Sequence, residues 1–211
     1  MTPSSFVKSL QDLDFDHVFN PYTDHCPVHD REDAPERRSG NLLSVLEAAA
    51  GRPVDALWIG RDYSYRGGRR TGLAFTDDER LDEHARRWGL TLRRPTQGAV
   101  VRERSANVVW NVLSRIGATV FLWNVFPFHP HQPDSPFSNR SHVAAERRSG
   151  QHLLEQLVRL LEPSAVIAIG NDAEKAARRL AGSAEVVKVR HPSYGGQAEF
   201  LASMEAYYGL R

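Results

Sequence analysis

Four short apolar runs set the rhythm of the chain: Val54–Ile59, Thr119–Trp123, Ala165–Ile169 and Glu185–Val189. The first two are apolar almost throughout, which fits strands buried on both faces of a sheet. Between them the apolar positions recur at helical spacing. Helices are expected at 4–13, 39–50, about 76–88, 105–116, from the end of a loop at Ser141 to about Leu161, at 172–181 and at about 197–208. Thr76 reads as an N-cap, with Glu79 three residues on completing a capping box. Asn20 to Arg38 is polar and Pro-punctuated, so residues 1–38 are expected as a short helix and an irregular arm packed on the rest. Strands alternating with helices imply parallel pairing with right-handed crossovers. The expected fold class is α/β: a single domain over 1–211, three layers (α/β/α), with a central four-stranded parallel sheet.

Every strand ends in polar punctuation. Gly60-Arg61-Asp62 follows the first, Asn124 the second, Gly170-Asn171-Asp172 the third and Arg190-His191 the fourth. In a parallel sheet these ends share one edge, and ligands bind beyond it. Asp62, Asn124 and His191 are therefore expected to converge. Asp supplies negative charge or a base. Asn offers a donor and an acceptor that suit a nucleobase edge. His can donate to a developing oxyanion. Phe75 adds a flat face for stacking.

Composition narrows the classes. The 211 residues suit one core. Net charge is +1, so no bulk attraction to polyanions is expected, but arginines cluster locally, as at Arg61, Arg66, Arg69 and Arg70. The single cysteine excludes an internal disulfide and an iron–sulfur cluster, and favours a reducing compartment. His25, Cys26, His29 and Asp30 are metal-ligand types, but Cys-x-x-His is half a zinc site with no second pair, so no metal and no cofactor are expected. No leader pattern and no run of about 20 apolar residues appears; a cytoplasmic monomer with no membrane contact is expected. The first loop carries neither a phosphate-loop motif nor Gly-x-Gly-x-x-Gly, and no Gly-x-Ser-x-Gly elbow occurs.

Taken together, the strand-end features resemble the uracil-DNA glycosylase superfamily over about Val54 to Gly196. The family's water-activating motif, best known as GQDPYH, falls on Gly60-Arg61-Asp62-Tyr63-Ser64-Tyr65. Its Gly-Leu-x-Phe falls on Gly72-Leu73-Ala74-Phe75, its strand-closing Asn on Asn124, and its His-Pro-Ser on His191-Pro192-Ser193. The resemblance implies a monofunctional DNA glycosylase acting on uracil or a modified pyrimidine, in base-excision repair or related DNA surveillance. In it, Phe75 stacks on the extruded base and Asn124 reads its pairing edge. Asp62 positions water and stabilises the cation-like sugar, and His191 stabilises the departing base. Ser64 stands where the best-known members place a tyrosine against the thymine methyl, and Tyr63 is a candidate to refill that space. Arg61, Arg66, Arg69 and Arg70 are expected to be exposed and partly phosphate-facing, and Ser193 and Tyr194 to grip DNA. Tyr194 also stands where the family carries a wedge leucine. Phe126, Phe128, His129 and His131 are candidates for pocket wall or DNA-facing loop. The alternative is a non-catalytic nucleic-acid-binding protein of the same fold that captures a flipped base or abasic site.

Overall fold

The computed structural model describes residues 1–180 and 184–210. Among these residues six strands form: β1 (Val18–Phe19), β2 (Ala56–Asp62), β3 (Val120–Phe126), β4 (His129–Pro130), β5 (Ala165–Ile169) and β6 (Glu185–Val189). Eight helices accompany them: α1 (Pro3–Gln11), α2 (Ala34–Ala50), α3 (Gly68–Thr71), α4 (Leu81–Trp88), α5 (Arg104–Leu113), α6 (Ala144–Leu161), α7 (Asn171–Ala177) and α8 (Gln197–Tyr208). The main sheet has the order β3-β2-β5-β6 and is parallel throughout. β1 and β4 make a separate antiparallel pair. Helices α1, α2 and α6 contact one another, as do α5 and α8, giving the three-layer α/β/α arrangement.

The apolar runs explain why the sheet lies inside. Leu57, Trp58 and Ile59 of β2 and Val166, Ile167 and Ala168 of β5 are wholly buried. Trp58 keeps its one polar atom satisfied by donating from Nε1 to the Tyr208 hydroxyl at 2.9 Å. β6 is one edge of the sheet, and its charged Glu185 and Lys188 stand exposed there, as suits a strand that must not recruit a further partner. The chain leaves β2 for β3 on one side and then crosses to β5 and β6 on the other. β2 is thus the point where the winding reverses, which opens a crevice above its carboxyl end.

Several expectations are corrected. β2 and β3 run past their apolar stretches, so Asp62 and Asn124 lie within strands rather than after them. Their ladder continues, with Gly60 opposite Asn124 and Asp62 opposite Phe126. α2 begins at Ala34, five residues early, because Pro35 fits a first helical turn. Thr76 is not an N-cap. α4 starts at Leu81, and Asp77 accepts from the Arg80 amide at 2.9 Å instead. Thr76 Oγ1 is used internally, on the Ala74 carbonyl and His84 Nδ1. The helix expected over 172–181 ends at Ala177, and Ala181 lies outside the described residues.

The N-terminal segment is integral to the core. Phe6 packs on Trp123, ring centroids 5.5 Å apart. Asp30 accepts from the Cys26 amide at 2.9 Å and pairs with the buried Arg38. Arg38 in turn donates to the carbonyls of Pro21, Asp24 and Arg70. Asp30, one of the metal-type residues of the arm, is therefore committed to this network, which ties the arm to the loop after β2. Among the described residues no three His, Cys, Asp or Glu side chains gather as a metal site, and no helix is long and apolar enough to cross a membrane.

Candidate active site

The carboxyl edge of the sheet opens into a cavity of about 370 Å³, lined by Asp62, Ser64, Phe75, Glu103, Asn124 and His191 among others. Asp62, Asn124 and His191 are each at least 62 positions apart along the chain, and only parallel pairing brings them together. Arg61, Tyr63, Ser193 and Tyr194 complete the rim.

Gly60 makes the back wall possible. A Cβ there would lie 2.5 Å from Phe75 Cζ and 3.0 Å from Asn124 Nδ2. Phe75 itself holds φ +51°, a left-handed conformation uncommon for a bulky residue. Trp110 Nε1 secures it by donating to the Phe75 carbonyl at 2.8 Å. Asn124 donates from Nδ2 to the Asp62 carbonyl at 2.9 Å. That bond fixes the amide, because the flipped orientation would set oxygen against oxygen. It leaves Asn124 Oδ1 buried with no partner. An orphaned buried acceptor is costly and needs a reason; a ligand N–H arriving in the cavity supplies one.

Asp62 carries the opposite character. Its Oδ2 accepts from Arg61 Nε at 2.7 Å, and its Oδ1 meets His142 Nδ1. Arg61 also lies 3.9 Å from Asp172 at the cavity mouth. The Ser193 amide donates to His191 Nδ1 at 3.1 Å. Nδ1 therefore accepts, and the ring proton sits on Nε2. Burial, with the nearby Arg61 and Arg190 cations, pushes the His191 pKa down to about 4. At neutral pH His191 is an uncharged N–H donor.

Ser64 does not stand free in the cavity. Its hydroxyl donates to Glu103 Oε1 at 2.7 Å and accepts from the Gly67 amide at 3.1 Å. Ser105 donates to the same Glu103 oxygen at 2.9 Å. Burial pushes the Glu103 carboxyl upward. Tyr63 is buried, its ring against Gly68, with its hydroxyl 2.9 Å from that of Tyr22 beside the Gly72 carbonyl. Arg66 is exposed and folds over Tyr65. Tyr194 is 99% exposed with φ +53°, ahead of Gly195 at φ +79°.

Two arginines are misplaced by sequence reasoning. Arg69 and Arg70, expected outside and against phosphate, are 5% and 4% exposed. The short helix α3 turns both inward. Arg69 reaches His129 Nδ1 at 3.0 Å and the Pro136 carbonyl at 2.8 Å, with its guanidinium 3.9 Å above the Phe19 ring. Arg70 pairs with buried Asp78 at 2.8 Å. Phe126, Phe128 and His129 are likewise core residues. Replacing Arg70 by Ala is expected to destabilise the fold by about 3 kcal/mol, the scale of a buried charge stripped of its partner, with no change in how DNA affinity depends on salt. Denaturant unfolding and a salt titration check this; a shallower salt slope at unchanged stability would return Arg70 to the phosphate.

His142 and Glu103 escape sequence reasoning. One sits in a loop crowded with Pro, Asn and Ser, the other in a basic irregular stretch. Neither carries a motif, and their partners are 80 and 39 positions away.

At the carboxyl edge of this parallel α/β sheet an aromatic ring, an amide, a carboxylate and a neutral imidazole line one cavity. The chain belongs to the uracil DNA glycosylase superfamily, whose family model matches residues 54–208. No curated protein sequence matches it. Among solved structures it is similar to wild-type SMUG2 of Pedobacter heparinus, at 16% identity over 100% of this chain and 98% of that one, with a TM-score of 0.64. Wild-type UNG from Nitratifractor salsuginis matches at 13% identity over 86% and 85% of the two chains, with a TM-score of 0.44. At such identity the SMUG2 likeness is one of fold.

Proposed function

We propose that the protein is a monofunctional DNA glycosylase that hydrolyses the N-glycosidic bond of a flipped uracil or modified pyrimidine. The observation that carries this is the unpartnered, buried Oδ1 of Asn124, a residue that lines the cavity together with Phe75. A pyrimidine extruded from the stack and lying on Phe75 meets that acceptor with an N–H on its pairing edge. The second Asn124 Nδ2 proton faces the adjacent carbonyl. The bond to C1′ then breaks with its electron pair leaving on the base. His191 Nε2–H stabilises the departing anion, and Asp62 the cation-like sugar, as opposite groups flank other glycosidic bonds. Water oxygen forms the new bond to C1′ on the side Asp62 faces, and its proton passes to solvent. Arg61, Arg66 and Ser193 hold the DNA backbone without reading sequence. Tyr194 occupies the gap the base leaves.

Purified protein on single- and double-stranded oligonucleotides, followed by alkali, tests this. Strand cleavage at uracil or at one of thymine mismatch, hydroxymethyluracil and modified cytosine is expected. Binding to all with cleavage of none would leave the non-catalytic capture of a base or abasic site.

Ser64 and Glu103 form a polar wall where a bulky ring would exclude C5-substituted bases. Ser64→Tyr is expected to lower the ratio of hydroxymethyluracil to uracil excision by about 10-fold or more, the scale at which a pocket rejects extra atoms. Parallel time courses on the two substrates read the ratio; an unchanged value would remove Ser64 from specificity.

A further inference from the structure

Asp62 ends β2, and its neighbour across the ladder is Phe126. The His142 ring lies against the Phe126 ring, centroids 6.1 Å apart, and its Nδ1 meets Asp62 Oδ1. Both side chains are enclosed, 6% and 5% exposed. An ionised carboxylate only accepts, so Nδ1 carries the proton and His142 donates. The second donor to this carboxylate is of another kind. The Arg61 side chain is 43% exposed and divides itself between Asp62 and Asp172.

The segment carrying His142 is locked on both sides. Arg140 places its two terminal nitrogens on Glu146, at 2.8 and 2.7 Å, and its Nε on the His131 carbonyl at 3.0 Å. Glu146 accepts from the Val143 amide at 2.7 Å. Asn139 Oδ1 accepts from the Tyr65 amide at 3.1 Å, which ties the same segment to the loop after β2. His142 is not among the residues that line the cavity, so it acts through Asp62 rather than on a substrate.

We propose that His142 is a positioning residue of this site: its Nδ1–H holds the Asp62 carboxylate toward the cavity whether Arg61 is engaged there or on DNA. The inference rests on the glycosylase reading. The imidazole reaches the aspartate from 80 residues away, across the fold rather than from the loop after β2.

Three variants test the role by single-turnover excision and by DNA affinity. His142→Ala is expected to slow excision about 100-fold, the effect of a small misplacement of a reacting group, with affinity unchanged. His142→Asn, whose side-chain N–H reaches the place of Nδ1, is expected to restore most of the rate. His142→Phe keeps the packing on Phe126 without the donor and is expected to stay as slow as Ala. Recovery by Phe, failure of a folded Asn variant, or an Ala variant at the wild-type rate would overturn the proposal while leaving the glycosylase reading intact. A wild type that excises no base would sink that reading instead, and the catalytic sense of the positioning with it. Proton NMR addresses the pairing apart from activity. A far-downfield ring N–H signal is expected in the wild type and absent from His142→Phe and Asp62→Asn, and its absence from the wild type would refute the pairing.

Discussion

Asp62→Asn is expected to cut base excision by about 10²- to 10⁴-fold, the span of a lost general base or fixed counter-charge, while DNA binding persists. In the proposed reaction the charge is lost at the point where the sugar turns cationic. The geometry suffers as well, because the native carboxylate accepts on both oxygens, from Arg61 and from His142. An amide can accept on one side only and sets its own N–H groups against a donor on the other. Binding survives because the stacking ring, the Asn124 amide and the exposed cations are untouched. Single-turnover rates on a uracil oligonucleotide beside a gel-shift titration separate the two effects. Excision at the wild-type rate would remove Asp62 from the reaction.

His191→Leu is expected to slow excision by about 10²- to 10³-fold, as for the loss of one preorganised donor to a developing anion. The pH dependence distinguishes the form in which His191 works. Its pKa is pushed down to about 4, so it is predominantly a neutral donor from pH 5.5 to 8. The loss in His191→Leu should therefore be the same factor at pH 5.5 and at pH 8. A loss that vanished above pH 6.5 would mean that an imidazolium, not an imidazole, faces the leaving base. Neutrality has a structural source: the ring is buried, Arg61 and Arg190 stand near, and the Ser193 amide already occupies Nδ1 as a donor.

β2, β3 and β5 are legible because their apolar runs have no exposed face to disguise them. Trp58, Phe121 and Trp123 are each at most 1% exposed. Their boundaries were less legible. Gly60, Asp62 and Asn124 are polar or small, yet the ladder carries through them, since backbone pairing does not depend on side-chain hydropathy. The start of α4 was misread for a related reason. Thr76 and Glu79 match a capping pattern, but the Thr76 hydroxyl is taken by His84 and Ala74, partners that no local pattern reveals.

The succession of strands and helices, the parallel sheet, and the gathering of Asp62, Asn124 and His191 on one edge all follow from the chain read alone. Periodicity and topology are enough for these, because parallel strands must present their carboxyl ends together. The fate of charges whose partners are distant in the chain is set by the fold. Arg69 and Arg70 look like solvated cations in a basic loop, yet each finds a buried acceptor, His129 and Asp78, and turns inward. His142 looks like one more loop residue, yet it meets the aspartate of the site. A charge is placed by whether a partner can offset its desolvation, and that partner is set by the fold rather than by its neighbours in the chain.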